Sequence, residues 1–208
     1  RVDYLHGQRP LVSIIIPVGD DLKALQQCVE GLIELTGYRH YELLIVGKPN
    51  ASAEMYIWLD AMERLAASML RVLRGPDTDR LAVIGNFAAG EARGEYLLLL
   101  SPSSQIYSGD WLDELLNHAL RPEVGIVGAK VLDKAGKIIH AGMVLGVDSS
   151  AGAAFEGEDA QGAGYMHRLQ VVQNWSAVSG DCLMVRRAVF DSVGGLDETT
   201  FGDTLADL

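Results

Sequence analysis

Leu11-Val12-Ser13-Ile14-Ile15-Ile16-Pro17 decides how the rest of this chain reads. An unbroken apolar, β-branched run of this length fits a strand covered on both faces, as in a parallel sheet, and Pro17 ends its ladder. Outward from it, Leu22, Leu25, Val29, Leu32 and Ile33 recur at helical spacing within 22–35. Asp20-Asp21 stands at the start of that helix, where carboxylates suit the free N–H groups. Tyr41 to Val46 reads as a second buried strand, ended by Gly47-Lys48-Pro49-Asn50. Ala51 to Leu70 reads as a helix and Arg71-Val72-Leu73 as a short third strand. Gly75-Pro76-Asp77 is a turn. A helix from Leu81 to Ala92 is closed by Gly94. Glu95 to Leu100 is the fourth strand, broken by Ser101-Pro102-Ser103-Ser104. Asp110 caps a helix from Trp111 to Leu120, and Val124 to Lys130 is the fifth strand. This alternation predicts an α/β doubly wound fold.

The rhythm changes after residue 130. Val131-Leu132-Asp133 and Ile138-Ile139-His140 flank Lys134-Ala135-Gly136-Lys137 as a hairpin would. Ser149 to Gly164 reads as an irregular loop. Ala177 to Val185 is a strand, and Arg186 to Val193 a short helix that stops at Gly194-Gly195. No internal repeat is found.

Composition narrows the class. The 208 residues include 17 Lys and Arg against 28 Asp and Glu, a net charge of −11, with 49% hydrophobic residues and a mean hydropathy of +0.14. Intrinsic disorder is excluded, because this apolar content offsets chain entropy. A chain of this size buries roughly 70% of its unfolded surface, enough for one substantial core. The acidic balance argues against nucleic-acid binding, which needs a basic face. No apolar run reaches the ~18 residues of a membrane-spanning helix. The opening Arg1-Val2-Asp3-Tyr4-Leu5-His6 is no signal peptide and lacks an initiator Met, so a piece of a longer chain is expected. Cys28 and Cys182 have no metal spacing and read as buried thiols in a reducing compartment, a disulfide being the minor reading.

In an open parallel sheet, ligands bind beyond the carboxyl ends of the strands. The places to look are therefore Pro17 to Asp20, Gly47 to Asn50, Ser101 to Ser104 and the region after Val185. No G-x-G-x-x-G follows the first strand, and neither a P-loop nor a G-x-S-x-G elbow occurs. The five His residues are scattered, which argues against zinc. His140 reads as a hydrogen-bonded structural histidine, and Lys48 as a solvated cation whose alternative is a phosphate contact.

Pro10 to Pro17 resembles the opening of family 2 glycosyltransferases with the GT-A fold. Further similar blocks follow in order: Cys28 to Leu32, Tyr41 to Val46, Asn86 to Ala89 with Ala92 to Leu100, Trp111 to Leu115, and Val124 to Lys130. Beyond these come His140 to Gly146, Asn174 to Gly180, Cys182 to Arg187 and Gly194 to Glu198. The resemblance spans nearly the whole chain and is strongest to the subgroup of bacterial O-antigen, rhamnan and other surface-polysaccharide assembly.

That resemblance implies a GT-A-like, mostly parallel sheet flanked by helices, with a small antiparallel acceptor-side extension. Residues 12–129 would form the nucleotide-sugar-binding half and 130–208 the acceptor-side half, within one domain of 1–208 cut short at its C-terminus. It implies a nucleotide-diphosphate sugar as donor, a glycan or lipid-linked acceptor, other domains of the same chain as partners and no nucleic acid. A cytoplasmic location follows, with any attachment to the inner membrane face through other domains. Pro17, Val18, Asp20, Gly47, Asn86, Ser101 and Ser103 would lie on the donor side, and Trp175, Gly180 and Asp181 on the acceptor side. Asp197-Glu198 would shape the acceptor site or cap a turn.

The family uses Mn²⁺ or Mg²⁺ on a D-x-D-like motif after the fourth strand, because a hard cation needs oxygen ligands and stabilises the leaving diphosphate. Here Ser101 and Ser103 stand where those acids are expected, so no metal-ligating residue is assigned. Gly47 stands where an acid usually contacts the nucleotide base. The family's general base is a carboxylate near the end of the domain. Nine residues beyond Glu198, Asp207 falls at the first acid of an N-D-V-D-like motif, between Ala206 and Leu208, with Asp203 a weaker alternative. Two functions follow: a sugar transferase, or a catalytically silent domain of the same fold that scaffolds or binds glycan.

Overall fold

The computed structural model of the chain describes residues 2–146 and 151–199. Its centre is a six-stranded sheet. The strands are β1 (Val12–Pro17), β2 (Tyr41–Gly47), β3 (Leu70–Arg74), β4 (Tyr96–Leu100), β5 (Ile126–Gly128) and β10 (Cys182–Arg186), in the order β3-β2-β1-β4-β10-β5. β1 pairs in parallel with β2 and β4, and β2 with β3. β10 runs antiparallel to both β4 and β5.

Alternate residues of these strands feed two cores. Ile14, Ile16, Leu43, Ile45, Leu98 and Leu100 pack under α1 (Leu22–Leu35), α2 (Ala53–Leu65) and α4 (Trp111–Ala119). Ile15, Leu44, Val46, Leu97 and Leu99 face α3 (Leu81–Glu91) and α5 (Arg187–Val193). A strand buried on both faces cannot alternate polar and apolar residues, which is why β1 and β2 read as continuous runs. On α1, Leu25, Cys28, Val29 and Leu32 are buried at the spacing of one helical face. Asp21 caps it by accepting from the Ala24 N–H at 3.0 Å.

The expected alternation is correct, but several boundaries move. α2 stops at Leu65 and Leu70 already belongs to β3, because pairing Leu70 with Leu43 buries it against the sheet. The fifth strand is only three residues long and does not adjoin β4, since β10 lies between them. Of the expected strand from Ala177, only Cys182 onward joins the sheet; Ala177 forms an isolated bridge to Met143. Gly94 does not cap α3, whose C-cap is Ala92. It lies instead where β1 begins: a Cβ there would come within 2.6 Å of the Ser13 nitrogen. Asp110 holds the N-cap position of α4 but makes no side-chain cap bond, and its carboxylate accepts from the Ser108 hydroxyl.

The extension is antiparallel, as expected. β6 (Val131–Leu132) and β7 (Ile138–His140) form the hairpin, and Asp133 folds its turn by accepting from the Ala135 and Lys137 N–H groups at 2.8 Å each. β8 (Met143–Leu145) pairs with β9 (Ala151–Ala153), so the segment read as irregular contributes a strand. Ala-Gly-Ala carries no strand propensity, and the pairing alone defines it. No described helix is long and apolar enough to cross a membrane.

Candidate functional site

The strand order reverses between β1 and β4, and a crevice at their carboxyl ends is the expected ligand site of such a sheet. β1 runs out into Pro17, Val18, Gly19 and Asp20. Val18 is buried, and its N–H donates to the Val46 carbonyl at 2.9 Å, so it offers backbone more than side chain. A Cβ on Gly19 would stand 3.6 Å from Pro102, which places the loop after β1 against the loop after β4. Asp20 is exposed, 4.0 Å from the Lys48 ammonium.

Lys48 is not the solvated cation that the sequence suggests. Its side chain is only 15% exposed and bonds the Asp79 carboxylate while facing Asp20. Three loops, after β1, β2 and β3, are thereby tied by one cation. Gly47, beside it, is buried. The Tyr56 hydroxyl donates to the Lys48 carbonyl and occupies the space above Gly47: a Cβ there would meet that hydroxyl oxygen at 3.5 Å. Tyr56 also lines a cavity of about 310 Å³ with Pro49, Asp60 and Arg74.

At the end of β4 the Ser101 N–H donates to the Asp181 carbonyl at 2.9 Å, and the Ser101 hydroxyl accepts weakly from the Ser103 N–H at 3.4 Å. The β4–β10 pairing thus carries Asp181, from the part of the chain after residue 130, to the carboxyl end of β4. Both side-chain contacts of Asp181 fall on Oδ2: His140 Nε2 at 3.2 Å and the Ser179 hydroxyl at 3.2 Å. A carboxylate only accepts, so the imidazole donates from Nε2. The hydrogen bond from His140 holds the Asp181 carboxyl below its ordinary range, against the opposing effect of burial. His140 is therefore not a fully satisfied core residue; it is buried, and its Nδ1 has no partner among the described residues.

Trp175 is half-buried and constrained on several sides. Gly142, at φ +122°, leaves room for the indole, since a Cβ there would sit 2.1 Å from its Cδ1. Phe155 meets the ring edge-on at 5.7 Å, and the Arg168 guanidinium lies 5.2 Å from its centre. Gly180 is buried beside Asp181. Asn86 is brought elsewhere than the crevice ends: its amide donates to the Leu196 carbonyl at 2.9 Å and the Glu198 carboxylate at 2.7 Å, and accepts from the Leu196 N–H at 2.8 Å. Asp197 caps a turn by accepting from the Thr199 N–H at 2.7 Å. Asp207 and Asp203 lie outside the described residues. Burial pushes the Cys28 and Cys182 thiols up to about 12, and both are free, so neither is a nucleophile near neutral pH.

Among the described residues no three His, Cys, Asp or Glu side chains converge into a cation cage. The end of β4 nonetheless carries hard oxygen donors at neighbouring positions: the Ser101 and Ser103 hydroxyls, and across the strand pair the carboxylate of Asp181, whose Oδ1 has no partner among the described residues. Mg²⁺ and similar ions bind through one or two carboxylates plus substrate phosphates, so this donor set fits a cation that arrives with its nucleotide.

Reasoning from the sequence missed the His140–Asp181 bond, the Lys48–Asp79 pair and the position of Tyr56. The first joins residues 41 apart in sequence. A signal existed only for Asp181: an acid just before an apolar strand lies opposite Ser101 once that strand is known to run antiparallel to β4.

Comparisons with known proteins bear on the family and the fold. Residues 13–194 match the family described as Glycosyl transferase family 2. An uncharacterized protein, y4gI of Sinorhizobium fredii, is 37% identical over 199 residues, spanning 96% of this chain and 22% of the relative. The O-antigen biosynthesis protein RfbC of Myxococcus xanthus is 37% identical over 202 residues, spanning 95% of this chain and 15% of RfbC. The chain thus spans less than a quarter of these relatives. Among solved structures, a mannosyltransferase from Pyrobaculum calidifontis in complex with GDP-Man and Mn²⁺ superposes with a TM-score of 0.67 at 15% identity, over 95% of this chain and 50% of that one. GalNAc-T7 with UDP, GalNAc and Mn²⁺ gives 0.68 at 15% identity, over 90% of this chain and 37% of that one. At such identity these likenesses show the shared GT-A fold.

Proposed function

Because this chain belongs to glycosyl transferase family 2, we propose that it transfers a glycosyl group from a nucleotide-diphosphate sugar to a glycan or lipid-linked acceptor in surface-polysaccharide synthesis. The strand-order reversal between β1 and β4 carries the reading: ligands of such sheets bind beyond the carboxyl ends at that point, and Asp181 reaches the end of β4 there. The relative RfbC supports the polysaccharide setting, and the solved structures holding GDP-Man and UDP support the donor class.

In this reading the loop after β1 and the end of β2 receive the nucleotide, with Tyr56 bounding the space that Gly47 leaves. Lys48 is placed to contact a phosphate by exchanging Asp79 for it. The acceptor hydroxyl oxygen attacks the anomeric carbon, and the bond from that carbon to the phosphate oxygen breaks with its electron pair leaving on the nucleoside diphosphate. A carboxylate takes the acceptor's proton, and Asp207 is proposed for that role on sequence grounds. Divalent metal bound with the donor would rest on oxygens at the end of β4 and neutralise charge on the departing diphosphate. Trp175, held by Gly142, Phe155 and Arg168, gives the acceptor half a rigid aromatic wall. Asn86 serves by fixing the turn at 195–198 and not by touching the donor.

A second reading, a glycan-binding or scaffolding domain without transfer, draws on Ser101 and Ser103 in place of acids. Calorimetry with UDP-, GDP- and dTDP-sugars, with and without Mn²⁺, separates the two. Metal-dependent micromolar binding of one donor is the expected result. Failure to bind any donor overturns the transferase reading.

A further inference from the structure

We infer that Asp181 supplies the protein carboxylate for the donor's divalent cation, standing across the β4–β10 pair in for the acid that Ser101 replaces. The inference rests on the transferase reading above and concerns this chain's own solution to a missing ligand.

The ladder fixes the positions. Cys182 pairs with Leu100, and one step beyond, the Ser101 N–H bonds the Asp181 carbonyl at 2.9 Å. Directly opposite residues of an antiparallel pair carry Cβ atoms about 5 Å apart on the same face of the sheet. An acid moved from position 101 to position 181 therefore stays at the same strand end, on the same side, displaced by one strand spacing. The antiparallel insertion of β10 beside β4 makes this exchange available; a parallel neighbour would have brought its carboxyl end there instead.

The side chain is set up for a ligand. His140 and Ser179 both hold Oδ2, which fixes the carboxylate's rotamer, while Oδ1 has no protein partner among the described residues. The side chain is 48% exposed, so the carboxylate can be reached from solvent. Oriented carboxylates with one oxygen tied by a neighbour and one free are what cation ligation favours. His140 is a positioning residue here: buried at 6% exposure, it contacts Asp181 and no other described side chain by hydrogen bond. With the Ser101 and Ser103 hydroxyls at neighbouring positions the donors are hard oxygens throughout, which suits Mg²⁺ or Mn²⁺ shared with phosphate oxygens.

The test measures nucleotide binding, not turnover. UDP, GDP and dTDP are titrated into the protein, each with Mn²⁺ and with EDTA, and the tightest is carried forward. Asp181→Asn is expected to weaken Mn²⁺-dependent binding by about tenfold or more while leaving binding in EDTA unchanged. The double variant Asp181→Asn with Ser101→Asp is expected to recover most of the loss, because the carboxylate returns to the other member of the same cross-strand pair. Melting temperatures establish that each variant is folded. Wild-type affinity in Asp181→Asn, or an equal loss in EDTA, overturns the inference and leaves the transferase reading standing. A double variant as weak as the single one overturns the cross-strand exchange. A wild-type protein that binds none of the three nucleotides overturns both readings together.

Discussion

The two ends of the central sheet treat polar groups in opposite ways. At the amino ends of β1, β2 and β4, buried Ser13 donates to Glu42 at 2.6 Å, and Glu42 also accepts from the Arg93 N–H at 2.7 Å and faces Arg71 at 3.4 Å. The Gly94 N–H returns to the Ser13 hydroxyl at 2.8 Å. Arg187 donates to the carbonyls of Ala89, Ala92 and Gly94 at 2.9 to 3.0 Å, closing the end of α3 with a cation where its dipole is negative. At the carboxyl ends the corresponding groups are left half-used: Asp20 and Asp79 are exposed, Oδ1 of Asp181 has no partner among the described residues, and Ser103 is open to solvent. A saturated network holds the fold; an unsaturated one is available to a ligand. The difference separates stability from function within a single sheet.

Two glycines give the most direct way to break that distinction. At Gly94 an added Cβ would meet the Ser13 nitrogen at 2.6 Å and the Leu11 carbonyl oxygen at 2.8 Å, both backbone atoms that cannot move aside cheaply. Gly94→Ala is expected to cost about 3 kcal/mol or more in denaturant unfolding. At Gly47 the nearest atoms to a new Cβ are 3.5 Å or more away, in ordinary contact. Gly47→Ala is expected to shift stability by no more than about 0.5 kcal/mol. Equal costs at the two sites would end the contrast between the two ends.

Glu42→Ala comes next. It strands the Ser13 hydroxyl and the Arg93 N–H and leaves Arg71 with Glu91 alone of its two carboxylates, so a loss of about 3 kcal/mol is expected. Glu42→Gln keeps one acceptor and should lose about half as much. If the alanine variant unfolds at the wild-type denaturant midpoint, the network is not what stabilises the amino ends.

Residues 12–100 were legible in the sequence because their strands are buried on both faces and their helices show one apolar stripe. These signals are local, and β1, α1, β2 and β4 lie within a residue or two of where they are read. What could not be read was direction and partnership. Cys182 to Val185 is as apolar as a parallel strand, and nothing in it tells that it enters the sheet antiparallel beside β4. That one topological fact displaces the fifth strand and carries Asp181 to the end of β4, beside Ser101. Gly94 misled for a related reason: a glycine after a helix suits a C-cap, yet here the close approach of β1 excludes any side chain. Lys48 looks solvated in the sequence because its partners Asp20 and Asp79 come from other loops.

The smallest expected effect concerns Asp181 itself. Its carboxyl is held below the ordinary range, first by the hydrogen bond from His140. A group whose folded value is depressed contributes stability above its ordinary value of about 3.9 and loses it as the pH falls through the folded value. With its side chain 48% exposed, that contribution is screened and should stay below about 1 kcal/mol. Thermal unfolding of wild type and Asp181→Asn should therefore differ by a small, constant amount from pH 7 down to pH 5, and the difference should close below about pH 4. A difference that widened in acid would mean that the carboxylate destabilises the folded chain. The unsaturated end of the sheet would then carry a cost that only a bound ligand could offset.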